Sequence, residues 1–176
     1  MDDRRARFEA QALPHLDAAA NLARWLTRSG ADADDIVQEA MLRAYRSYDG
    51  FRGGDMRPWL LTIVRNCWRN LGADARRRGH VPLPDEANGV EIAFAGADPE
   101  EEAIHSDEGR KLDAVIATLP EEFRTVLVLR EMEDLSYREI AAVCEVPIGT
   151  VMSRLARARA MLREKWIGME GARHAV

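Results

Sequence analysis

Apolar residues recur at helical spacing along two stretches of this chain, and between them, over residues 79–109, the repeat is lost. Pro82, Pro84, Gly89, Gly96 and Pro99 interrupt the gap, and Asp98-Pro99-Glu100-Glu101-Glu102 crowds like charge into it, so it reads as a flexible acidic linker. The β-branched clusters fall inside helical patterns instead of alternating, and no internal repeat is visible. The expected fold is all-α: one small helical domain over 1–78, the linker over 79–109, and a second small helical domain over 110–176.

In the first domain, Leu16, Ala19, Ala20, Ala23 and Leu26 form a stripe between Leu13 and Arg28, with Gly30 as the expected stop. Asp32 is a candidate cap for a second helix carrying Ile36, Val37, Ala40, Met41, Ala44, Tyr45 and Tyr48. After the loop Phe51-Arg52-Gly53-Gly54, Asp55 caps a third helix, tolerates Pro58 in its first turn, and precedes a buried face of Trp59, Leu60, Ile63, Val64, Cys67 and Leu71. In the second domain, Leu112, Val115, Ile116 and Leu119 resume the period. Pro120 opens the next helix, which continues through Phe123, Val126 and Leu127.

The strongest local signal is Ser136-Tyr137-Arg138-Glu139, the spacing at which a hydroxyl and a carboxylate cap each other's backbone N–H groups. The short helix it opens turns Ile140, Ala141 and Cys144 inward and breaks over Glu145-Val146-Pro147. A second helix restarts near Gly149 with Val151 and Leu155 on the same core, giving a helix-turn-helix. Such a second helix lies in the DNA major groove, which makes Thr150, Met152, Ser153, Arg154 and Arg157 the candidate contacts. An ordinary solvated basic face would show the same charges.

Charge is distributed unevenly enough to matter, although the chain as a whole is acidic at −5. Residues 65–80 carry five basic side chains against one acidic, 81–113 two against ten, and 149–176 six against two. Two basic segments flanking an acidic one can each hold a phosphate backbone whatever the net charge. On the third helix Arg65, Asn66, Arg69 and Asn70 pair at i, i+4 spacing on the expected polar side, followed by Arg76-Arg77-Arg78. Trp59 and Trp68 border them, and aromatics beside cations stack on unpaired bases. The same residues would also serve as core and solvated helix end. The second helix shows Asp35, Gln38, Glu39 and Arg43, a face that would otherwise simply be wet.

Cys67 and Cys144 lack CxxC partners, so both are expected as small buried hydrophobes, with no metal or cofactor. No apolar run approaches the ~18 residues of a membrane helix, and no apolar leader follows Met1, so a cytoplasmic protein without membrane insertion is expected. His15, His80, His105 and His174 are scattered, and the acidic run cannot hold a base or metal at fixed geometry, so no catalytic residue is assigned.

Taken together, Asp34-Asp35-Ile36-Val37-Gln38-Glu39, Trp59-Leu60-Leu61-Thr62-Ile63-Val64-Arg65-Asn66, Leu119-Pro120, Leu135 to Ala141 and Pro147 to Arg154 resemble the group 4, or extracytoplasmic-function, sigma factors of bacterial RNA polymerase. The resemblance runs from about Leu13 to Lys165. It implies a promoter-specificity subunit, monomeric when free of partners. The first domain would dock on the β′ clamp helices of core polymerase through Asp35, Gln38, Glu39 and Met41. It would melt the minus-10 element through Arg65, Asn66, Arg69, Asn70, Arg76, Arg77 and Arg78, with Asn70 in or beside the loop that captures a flipped base, as a duplex-opening protein requires. The second domain would reach the β flap and read the minus-35 element through Thr150, Met152, Ser153, Arg154 and Arg157. The linker would thread the polymerase cleft, and an anti-sigma factor would hold the protein inactive. Many relatives carry Lys or Arg where this chain has Met152 and a larger side chain where it has Ala156. A self-sufficient operator-binding regulator is the alternative, although such proteins pair half-sites as dimers and no dimer stripe is evident.

Overall fold

The computed structural model describes residues 2–77 and 107–173, with side chains over 3–73 and 108–169. It is all-helical, with no strand among the described residues, and its contacts divide the chain into two units within Met1–Gly96 and Ala97–Val176. Most of the expected linker, residues 79–106, lies outside the described residues, as does Arg78.

The first unit comprises α1 (Asp2–Ala12), α2 (Leu16–Thr27), α3 (Gly30–Ser47) and α4 (Met56–Arg77), with 3-10 turns at Leu13–His15 and Tyr48–Gly50. Its core is the mutual packing of α2, α3 and α4 through Leu22, Ala23, Leu26, Ile36, Ala40, Leu60, Leu61 and Val64, all nearly or fully buried. Helix α2 ends on Arg28 in the left-handed conformation, φ 62°. Gly30, expected as the stop, instead begins α3. Ser29 is the cap, its Oγ accepting from the Asp32 amide, so Asp32 sits in the first turn and is not the capping residue. Asp55 behaves as expected, its Oδ1 accepting from the Arg57 amide at 2.9 Å.

Helix α1 has no counterpart in the sequence reading. Phe8, 5% exposed, docks it at the end of α3, edge-on to Tyr45 and Tyr48 at centroid distances of 5.3 and 5.4 Å, and Ala12 is fully buried. Arg4 binds Asp49 at 2.9 Å, donates to the Tyr45 carbonyl at 2.7 Å and lies 4.4 Å over the Tyr45 ring. The Arg4 guanidinium holds the Asp49 carboxyl below its usual range.

The second unit comprises α5 (Asp107–Ala117), α6 (Glu121–Glu131), α7 (Tyr137–Cys144) and α8 (Ile148–Arg173). Helix α5 starts inside the stretch assigned to the linker, and Pro120 is the cap of α6, not its first residue. Val126, Leu129, Ile140, Val143, Val151, Leu155 and Ala158 are buried together in the unit's core. Arg124, 5% exposed, closes the α5–α6 corner by donating from Nη1 to the carbonyls of Ala117 at 3.2 Å and Leu119 at 2.9 Å.

Candidate nucleic-acid interface

The helix pair at the end of the chain is built as its sequence dictates. The Ser136 Oγ accepts from the Glu139 amide at 3.3 Å, and Glu139 Oε2 accepts from the Ser136 amide at 2.7 Å, so both halves of the reciprocal cap are present. Helix α7 closes on Glu145 at φ 56°, and the Val146 amide reaches back to the Ala141 carbonyl at 3.1 Å. The Pro147 carbonyl then accepts from Thr150 and Val151 to start α8. Val151, Leu155 and Ala158 lock α8 to the core, which turns Met152, Ser153, Ala156 and Arg157 to solvent on the opposite side.

The five predicted contact residues of α8 are not equivalent. Met152 is 54% exposed and Arg157 is exposed, whereas Thr150 is half-buried and Ser153 Oγ donates to the Thr150 carbonyl at 3.0 Å. Arg154 is held at 2.9 Å by Glu122 of α6, its side chain only 23% exposed. Arg159 is likewise held by Glu131 at 2.6 Å. Two of the basic residues thus tie α8 to α6, which the periodicity of α8 alone could not reveal. Sequence reasoning also missed Ile148, 43% exposed and one helical turn before Met152.

In the first unit, α3 presents Asp34, Asp35 and Gln38 exposed, while Met41 and Glu39 are half-buried and Glu39 Oε1 accepts from Arg43 Nε at 2.5 Å. Leu42, 53% exposed beside them, adds an apolar element that was not anticipated. On α4, Asn66 is half-buried and Arg69 and Asn70 are exposed; the side chains of Arg76 and Arg77 lie outside the described residues. Trp68 and Trp59 are half-buried, and Trp59 packs on Phe51 at 5.1 Å. Leu71, expected inside, is 46% exposed.

Arg65 corrects the sequence reading. Expected on the polar side with Arg69, it is only 9% exposed, because it stands between Leu61 and Val64 and the wet face, on the margin of the buried stripe. Its Nε and Nη1 are buried without a hydrogen-bond partner. Burying a guanidinium so poorly satisfied opposes folding, so Arg65→Met, which keeps the stem, is expected to raise stability by about 1–3 kcal/mol in urea unfolding. A loss of that size would mean the guanidinium is satisfied in solution.

Both cysteines are buried as expected, and burial pushes the Cys67 thiol up. Among the described residues no cluster could hold a metal, and no helix is long and apolar enough to cross a membrane. An open cavity of about 330 Å³ lies where α1 meets the turn after α3, lined by Arg7, Gln11, Tyr48, Asp49, Phe51 and Gly53.

Comparison with known proteins gives concordant matches. The family description Sigma-70 region 2 matches residues 13–78 and Sigma-70, region 4 matches 109–162. The chain is 38% identical over 150 residues to the ECF RNA polymerase sigma-E factor of Haemophilus influenzae, covering 82% of this chain and 78% of that protein. The Escherichia coli K12 sigma-E factor is 38% identical over 140 residues, covering 76% and 73%. The ECF sigma factor SigE of Mycolicibacterium smegmatis is 37% identical over 155 residues, and this chain spans only 58% of its length. Among solved structures, the sigma factor RpoE in complex with the anti-sigma factor NepR from Bartonella quintana superposes with a TM-score of 0.67 at 26% identity, covering 90% of this chain and 95% of that one. CnrH in complex with the cytosolic domain of CnrY, at 24% identity and a TM-score of 0.66, shows the same fold. With both matched regions falling on the two helical units, the chain belongs to the extracytoplasmic-function sigma factors.

Proposed function

We propose that this sigma factor binds core RNA polymerase in the cytoplasm, directs it to promoters through minus-35 and minus-10 elements, and performs no catalysis of its own. The observation that carries the reading is that one chain presents two separate polar surfaces, on α3–α4 and on α8, in the two segments that match sigma regions 2 and 4. Residues 1–78 serve core binding and the minus-10 element, 79–109 connect, and 110–176 read the minus-35 element. The α3 face with exposed Asp35 and Gln38 and half-buried Met41 is the surface for the β′ clamp helices, and the second unit meets the β flap. Glu39, already paired with Arg43, contributes less. Asn66, Arg69 and Asn70 serve the minus-10 strand together with Arg76, Arg77 and Arg78.

Control by an anti-sigma factor is supported by the Bartonella relative, which was solved bound to one. A quantitative pull-down from the native cell tests it, and a factor found only with polymerase would refute it.

Run-off transcription tests the main reading, with the full chain and core polymerase on fragmented genomic DNA and core alone as control. Discrete transcripts that require the protein are expected. Failure to bind core would hand first place to a stand-alone operator-binding regulator. On the recovered promoters, Arg157→Ala is expected to weaken minus-35 binding and flatten its salt dependence by about one ion. An unaltered slope would place Arg157 away from phosphate.

A further inference from the structure

The outer face of α8 carries an apolar stripe in line: Ile148, 43% exposed, Met152, 54% exposed, and exposed Ala156 recur every four residues along the turns that would enter a groove. The same turns are poor in groups that read base edges by hydrogen bonds. Between Ile148 and Met161 there is no Asn, Gln, Asp, Glu or Lys. Adenine is read by Asn or Gln, cytosine by a carboxylate, and guanine by Arg or Lys. Of the arginines in that stretch, Arg154 and Arg159 are held by Glu122 and Glu131, which leaves Arg157 outside any ion pair among the described residues. The Ser153 hydroxyl has its hydrogen committed to the Thr150 carbonyl.

What an apolar strip can distinguish in the major groove is the C5-methyl of thymine, the one apolar group that a base pair shows there. We propose that this sigma factor reads its minus-35 element chiefly through thymine methyl groups packed against Met152, with Ile148 and Ala156 extending the strip and Arg157 fixing the register on a phosphate. The inference rests on the assignment of α8 as the minus-35 reader. The cations near the strip favour this occupant over a protein partner: exposed Arg157 follows Ala156, exposed Arg163 lies further along the same face, and an apolar seam flanked by positive charge suits a groove walled by phosphates.

The test removes the methyls and nothing else. A promoter duplex library randomised across the minus-35 segment is synthesised twice, with thymidine or with deoxyuridine in that segment only, and each is offered to the full chain bound to core polymerase. Wild type is expected to select thymines at adjacent positions and to hold the thymidine duplexes about fourfold more tightly for each methyl contacted. Met152→Ala, a substitution at an exposed position, should erase that ratio. Arg157→Ala should weaken both libraries equally and keep the ratio. Equal retention of the two libraries by wild type would overturn the proposal while leaving the sigma-factor reading intact. A ratio that survives Met152→Ala would also overturn it, since the methyls would then be felt by another surface. Retention of neither library above core alone would refute both the minus-35 assignment and the inference built on it.

Discussion

Core RNA polymerase is expected to bind the Asp35→Ala/Gln38→Ala double variant roughly 30-fold or more weakly, the loss that accompanies removal of an interface hot spot. Both side chains are exposed on α3, so the substitution removes no packing, and the urea unfolding curve should superpose on that of the wild type. The buried side of the same helix, with Ala33, Ile36, Ala40 and Ala44, is untouched. Glu39→Ala, by contrast, breaks a pair that α3 already makes with Arg43 and should cost much less affinity. Leu42, exposed between these polar residues, supplies the apolar centre that such interfaces need. Fluorescence titration of labelled protein with core polymerase reads the effect directly, and an unchanged affinity would move the docking surface off α3.

The second large effect concerns stability. Arg124→Ala is expected to destabilise the second unit by about 2–4 kcal/mol, because it removes a charged donor from two buried carbonyls. Arg124 Nη1 serves both Ala117 and Leu119 from the first turn of α6, and these carbonyls belong to the residues where the chain leaves α5 and turns. Without the guanidinium both carbonyls lose a charged donor inside a buried corner. Arg124→Met restores the bulk of the stem but not the bonds, so it should recover only part of the loss. Denaturant unfolding followed by circular dichroism gives the comparison; a change below about 0.5 kcal/mol for Arg124→Ala would mean that the corner is held by apolar packing alone.

Local grammar makes the helix-turn-helix legible in the sequence itself. Ser136 and Glu139 cap each other across three residues, Pro147 marks the restart, and Val151 and Leu155 fall on the core side by spacing alone. Where the reading missed, the deciding partner stood far away in the chain. Among its described residues helix α1 buries just Phe8 and Ala12, too few to register as a period, and it is held by Arg4 reaching Asp49 across 45 positions. Ser29 and Asp32 were both fit to cap α3, and only the backbone path after Arg28 selects Ser29. Arg65 carries a charge, which in a sequence points to exposure, yet its place beside the Leu61–Val64 stripe draws it inward. The pairing of Arg154 and Arg159 with α6 is tertiary and invisible to a helical wheel.

The division of labour around α8 has a consequence for inheritance. Its inner residues, Val151, Leu155 and Ala158, and the two arginines bound to Glu122 and Glu131, answer to the fold, while Ile148, Met152, Ala156 and Arg157 stand exposed on its outer side. Changes among the latter four are therefore nearly neutral for stability. A duplicated copy of this gene could acquire a new regulon through one or two codons without first surviving a folding-deficient intermediate, and its ancestral partner surface on α3 would pass unchanged to both descendants.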